Sequence, residues 1–318
     1  MTERERFIKT LRREPVSGHA PTFELVFFLT MEAFGRVHPS QRSFGQWQQM
    51  SGNERRRHLE NQAELYIMTA QRYQHSAIFV HPNPGDFDNI VRLLEIIREK
   101  SGDEYFLMMH GDPTFSIPDG GSMMEFTERL YEDGEGLHKD ARNNVRGSVS
   151  FAEQISRHPG LLDGFALCSD YCFNVNPFFS RGMFAEFVAP YLKEAIQAYH
   201  DLGFYSIKHT DGNIMPIIDM LVDCGPDALH SLDPQGGVDL ARVSRDWGDK
   251  VALCGNVNCA LLQTGTREEC EADVRRSLRD GMARGAGFVF CTSNCAYTGL
   301  PLERYELMNR IWREEGVY

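Results

Sequence analysis

No stretch of about 18 consecutive apolar residues, the length that crosses a bilayer, occurs in this 318-residue chain. Its first fifteen residues, MTERERFIKTLRREP, are charged and helical in pattern, which predicts neither a signal peptide nor a membrane anchor. Long basic blocks are also missing: 33 Lys and Arg stand against 45 Asp and Glu, for a formal net charge of −12. That balance argues against nucleic acid or an anionic membrane as partner and favours a small-molecule substrate. The eight cysteines, at 168, 172, 224, 254, 259, 270, 291 and 295, form no CxxC pair. This excludes a standard structural zinc module and predicts reduced thiols in a cytoplasmic protein. Neither GxGxxG nor GxxxxGKS/T is present, so the phosphate-cradling turns of dinucleotide and P-loop folds are absent. With no low-complexity segment and no Ser/Gly/Pro linker, residues 1–318 are expected to form a single domain.

What does recur is a short apolar strand, a polar turn and an amphipathic helix. Eight segments read as strands: 22–28, 76–82, 105–112, 164–170, 204–212, 227–234, 250–258 and 287–294. Helical stretches separate them, several ending in a glycine where a C-cap is wanted. Eight βα units predict an α/β fold of the (β/α)8 TIM-barrel type, preceded by an N-terminal helical extension. In that architecture the chemistry sits at the C-terminal ends of the strands.

Those ends carry His81, His110 with Asp112, Asp170 with Tyr171, His209 with Asp211, Asp233, Asn256 with Asn258, and Ser293, Asn294 and Cys295. Glu24 lies within the first strand. Taken singly, Asp112, Asp233, Asn258 and His81 also suit the ordinary work of strand ends, which is to cap helices and close turns. Asp211 has a similar alternative in ordering the DGN turn, and Cys295, in the company of Cys259 and Cys291, one as a small core residue. The convergence of so many polar groups on one mouth is what points to catalysis. Asp170 and Tyr171 pair a carboxylate with a phenol, competent to bind substrate or to move a proton. Capping of the helix that follows them is better served by Ser180. Paired glycines at 120–121 and 236–237 suggest flexible loops over the mouth.

Five blocks, TERERFIKTLRREP, SDYCFNVNPFFSRGMFAEFVAPYLKEAI, KHTDGNIMPIIDMLVDCGPDALHSLDP, DKVALCGNVNCALLQTGTREEC and GFVFCTSNCAYTGLPLERY, resemble in their order the uroporphyrinogen decarboxylase superfamily. That superfamily also contains corrinoid-dependent methyltransferases, and the resemblance implies a (β/α)8 barrel. In MEAFGR, Arg36 matches the second arginine of the decarboxylases' MRQAGR-like motif, whereas Glu32 replaces the first and reverses its charge toward a polycarboxylate substrate. The decarboxylases' late histidine is here Cys295. Methyltransferases of the superfamily show HxCG and, about 80 residues later by resemblance, a cysteine ahead of a proline-containing loop, which together hold zinc. In HTDG and NCAYTGLP, His209 and Cys295 match two of those ligands, with Asp211 in place of the third.

The resemblance therefore implies a methyltransferase moving a methyl group between a small substrate and a cobalamin. No DxHxxG segment is present, so the corrinoid is expected on a separate partner protein. The implied catalytic residues are Asp170, Tyr171, His209 and Asp211, and the implied zinc ligands His209, Asp211 and Cys295. Glu24, Arg36, His110, Asn256 and Asn294 are expected to meet substrate, and the resemblance also implies a homodimer. Two alternatives stand beside this reading: a metal-free decarboxylase of the uroporphyrinogen type, and a barrel that binds a small ligand without chemistry.

Overall fold

The computed structural model describes residues 1–318. Seven parallel strands form one sheet in chain order: β1 Ala77–Phe79, β2 Phe106–His110, β3 Gly164–Cys168, β4 Tyr205–His209, β5 Ala228–His230, β6 Ala252–Val257 and β7 Phe288–Thr292. Helices cover the outside, so most strand residues are buried on both faces. This is why the segments read as continuous apolar runs without strict alternation. The result is a TIM-barrel-like α/β fold.

The eighth expected strand, 22–28, takes up its place between β7 and β1 only in part. Thr22 bridges Phe290 and Phe27 bridges Ala296, both in parallel, and the Thr22 carbonyl accepts the Ser76 N–H at 2.6 Å on the other side. Between those bridges the N–H of Thr292 donates to the carboxylate of Glu24, at 3.3 Å, and not to a backbone carbonyl. A side chain has replaced a rung of the ladder, and regular strand structure fails there.

Inside the sheet lies a separate apolar core. It takes Phe23 and Leu25 from the irregular segment, Phe79, Phe106, Met108 and Ile207 from the strands, and Phe7 and Leu11 from the N-terminal helix Glu3–Leu11. That helix is started by a capping box between Thr2 and Glu5. Arg4 ties it to Asp163, just before β3, at 2.6 Å, and Asp163 also receives Arg98 at 2.7 Å. The helix Glu3–Leu11 thus contributes Phe7 and Leu11 to the interior of the sheet. No helix is long and apolar enough to cross a membrane, and all eight cysteines are free.

Candidate active site

Along β4, Ile207 faces the barrel core and Lys208 the opposite side, so His209 and, two residues on, Asp211 point into the mouth. The chain then turns at Gly212, whose φ of 79° is left-handed. A Cβ there would stand 2.5 Å from the Cys172 carbonyl oxygen and 2.6 Å from that of Phe173. Glycine is required by both torsion and space, and it lets the end of β4 pack directly on the loop after β3.

Asp170 comes from that loop. Its Oδ1 accepts the Asp211 N–H at 3.0 Å, while the flanking Tyr171 N–H donates to Thr210 Oγ1 at 3.1 Å. One carboxylate oxygen each from Asp170 and Asp211 and one ring nitrogen of His209 lie within 4.8 Å of one another. His209 Nε2 stands 3.9 Å from Oδ1 of each aspartate. Asp211 is further held by Ser231 Oγ at 2.8 Å and by the Asn294 amide.

Burial lowers His209 to about 4, with the charge of Asp170 opposing and nearby Lys208 and His110 assisting, so its imidazole is neutral at pH 7. Burial and the like charge of Asp170 raise Asp211 to about 7, against the Ser231 hydrogen bond. Neither aspartate is paired with a Lys or Arg: nearby Lys208 is neutralised by Asp112, and the basic group beside both aspartates is the neutral His209. Two carboxylates and an imidazole lone pair gathered without a counter-charge fit a divalent cation, zinc included. Asp170, with 49% of its side chain exposed, occupies the solvent side of this group.

Several expected site residues lie elsewhere. Tyr171, one position beyond Asp170 and so of opposite orientation, is fully buried. Its hydroxyl meets Thr114 Oγ1 at 2.6 Å, and its ring underlies Lys208 Nζ at 4.2 Å from the centroid. Lys208 itself is buried, donating to Asp112 at 2.6 Å and to the carbonyls of Leu167 and Ser169 at 3.1 and 3.0 Å. Asp112 and Tyr171 therefore belong to a network that clamps the ends of β2, β3 and β4 from outside. Glu24 also faces away from the mouth, bonded to Thr292. Asn256 is buried, its amide donating to the Leu232 carbonyl at 2.8 Å and accepting from Arg276 at 3.0 Å.

Arg36 lies against the helix Gly52–Tyr73, 3.8 Å from Met68 Sδ and 3.9 Å from Glu64. Cys295 is not among the three gathered ligands; its thiol is pushed up to about 12, chiefly by burial. His110 is exposed at the rim, its ring 5.8 Å from that of His81. The mouth thus unites Asp170, His209, Asp211 and Asn294, with His110 beside them.

Sequence reasoning missed His230. It pairs directly with His209 in the β4–β5 register, and their Nδ1 atoms are 2.8 Å apart. The available signal was a histidine at the end of the neighbouring strand, in DALHSLDP.

Residues 172–314, which supply β4 to β7 and so His209, Asp211 and Asn294, match the uroporphyrinogen decarboxylase (URO-D) family. The match spans the second half of the barrel. A methyltransferase from Methanosarcina mazei superposes on 99% of this chain, and on 99% of its own length, with a TM-score of 0.73 and 17% identity. That likeness is one of fold. The 3-keto-D-glucoside 4-epimerase of E. coli matches 80% of the chain, over 94% of its own, with a TM-score of 0.48 and 12% identity. A sugar phosphate isomerase/epimerase from Parabacteroides distasonis matches 84%, over 94% of its own, with a TM-score of 0.45 and 9% identity. Among curated proteins none matches.

Proposed function

We propose that this chain is a methyltransferase of the uroporphyrinogen decarboxylase superfamily that moves a methyl group between a small substrate and a cobalamin carried by a partner protein. The observation that carries the reading is the meeting of Asp170, His209 and Asp211 at the C-terminal mouth of a barrel whose residues 172–314 match the URO-D family. In it, these three residues would hold a divalent cation, zinc by resemblance, with Asp170 taking the place expected of Cys295. A cation so held supplies Lewis acidity to the heteroatom that gains or loses the methyl group.

The chain's own residues provide the rest. His209 offers a neutral nitrogen, since burial keeps it unprotonated. Ser231 and Asn294 fix both oxygens of Asp211. Asp170, on the solvent side, is the member of the group that an entering substrate meets first. His110 at the rim offers a ring nitrogen to a substrate polar group.

The decarboxylase alternative asks the mouth to receive several substrate carboxylates. Here aspartates 170 and 211 sit in it, with Asp233 close enough to raise Asp211 further, and Arg36 is engaged on a peripheral helix. An anionic mouth repels a polyanion.

The test is spectrophotometric: cob(I)alamin is supplied to the zinc-loaded enzyme together with a panel of methylated thiols, amines and methyl ethers. Consumption of cob(I)alamin with at least one donor, lost in Asp170→Asn and His209→Ala, supports the proposal. Carbon dioxide release from a porphyrinogen without added metal overturns it, and ligand binding without turnover in either assay favours the non-catalytic barrel.

A further inference from the structure

The segment 36–44 and the helix Gly52–Tyr73 enclose an open cleft of about 610 Å3. In a chain of net charge −12 this cleft is lined by three arginines and a histidine, and by no carboxylate. One wall is the segment, with Arg42, Ser43 and Phe44. The other is one face of the helix, where Arg57 and His58 stand four and three residues before Asn61. None of these residues belongs to the group gathered at the mouth.

Arg42 is held ready within the cleft. Its Nε donates to the Val37 carbonyl at 2.9 Å and its Nη1 to Asn61 Oδ1 at 2.7 Å, which leaves Nη2 without a partner. Its own carbonyl accepts from Asn83 Nδ2 at 2.7 Å, so the segment is fixed to the chain leaving β1. The acids of the helix are engaged elsewhere. Glu54, whose carboxylate senses Arg57, forms the capping box with Ser51. Glu60 pairs with Arg56 at 2.7 Å, and Glu64 lies between Lys100 at 3.1 Å and Arg36 at 3.9 Å. Arg42 and Arg57 are left without an ion pair. Burial lowers the pKa of Arg42, opposed by Tyr66 and assisted by Arg36, as befits a half-buried guanidinium with no counter-charge.

We propose that this cleft is a binding site for a small phosphorylated molecule. A phosphate group offers its oxygens to a guanidinium two at a time. Arg42 presents the free edge of its fork, Arg57 faces it from the opposite wall, and Ser43 and His58 add hydrogen-bond donors. Beside them the rings of Phe44 and His58 meet edge to face at 4.9 Å, with Trp47 5.4 Å from Phe44. They give the organic part of the ligand an aromatic surface. The site stands apart from the cation group, and no step of the methyl transfer depends on it.

Isothermal titration calorimetry of the full chain, freed of metal by dialysis and held at physiological ionic strength, tests this with inorganic phosphate, pyrophosphate, AMP and citrate. Pyrophosphate and AMP are expected to bind more tightly than citrate, and AMP more tightly than inorganic phosphate. Arg57→Ala, whose lost side chain makes no hydrogen bond or ion pair within the protein, should weaken that binding about 10- to 100-fold. Arg42→Ala should weaken it at least as much, and Asp170→Asn should leave it within about twofold of wild type. Absence of binding by all three phosphates overturns the proposal, as does citrate bound as tightly as pyrophosphate. So does binding that is unchanged in Arg57→Ala, or lost in Asp170→Asn, which would put the anion at the mouth. Should Arg42→Ala loosen the segment it helps to hold, Arg57→Ala decides the matter alone.

Discussion

Asp170 Oδ1 accepts the backbone N–H of Asp211 at 3.0 Å, which docks the loop after β3 onto the end of β4. The contact ties two members of the gathered group together across two elements. Asp170→Asn keeps an acceptor in place and is expected to unfold within about 0.5 kcal/mol of the wild type. Asp170→Ala orphans a partly buried N–H and should cost about 1 kcal/mol more. Urea denaturation of the two variants checks this, and equal losses would show that the hydrogen bond does not matter.

Lys208 and Asp112 are both buried, with side-chain exposures of 0% and 2%. Removing one partner of such a pair leaves an uncompensated charge, so Lys208→Met should destabilise by about 3–5 kcal/mol. The double variant Lys208→Met with Asp112→Asn is expected to recover most of that loss. Denaturation midpoints of the single and double variants measure the coupling; simple additivity would contradict it.

Glu24 predicts a pH dependence of stability. Its carboxyl is pushed up to about 8 from 4.5, chiefly by burial, against the Thr292 hydrogen bonds. Between those values the folded protein holds a proton that the unfolded chain has released. The contribution is therefore full below about pH 4.5 and is lost as pH rises through about 8. Glu24→Gln should gain stability relative to wild type as pH rises from about 4.5 to about 8 and level off above that, by at most on the order of 5 kcal/mol. A difference that does not change with pH would refute the assignment.

Gly212 and Gly225 share nearly the same φ, 79° and 81°, but only Gly212 is crowded. Alanine at 225 meets open space and should cost about 1–2 kcal/mol of torsional strain. Alanine at 212 adds clashes with two carbonyls and displaces Asp211, so its loss in thermal stability should be larger and zinc affinity should fall with it. Equal behaviour of the two variants would mean the loop after β3 yields freely.

The fold and the core of the site were legible because they rest on local patterns. Short apolar runs between amphipathic helices gave seven of the strands, and polar strand ends gave Asp170, His209, Asp211 and Asn294. What failed was orientation. In a strand buried on both faces, hydropathy does not say which side a residue looks toward: it leaves the face of Glu24 open and places Tyr171 with Asp170 at the mouth, although each alternates away from it. Strand parity relative to Phe23 or Asp170 would have corrected both. His230 and Lys208 were missed for a different reason. A buried His or Lys gains its meaning from a partner on a neighbouring strand, and register is not written in either strand alone. Cys295 enters by resemblance, whereas the third member of the gathered group is Asp170, whose position depends on the fold of the loop after β3.

Whether Asp170, His209 and Asp211 form the cation site is read by equilibrium dialysis against zinc followed by elemental analysis of the wild type, Asp170→Asn and Cys295→Ser. The expected result is about one zinc per chain, retained in Cys295→Ser and lost in Asp170→Asn. Zinc that survives Asp170→Asn but disappears with Cys295→Ser would contradict the account.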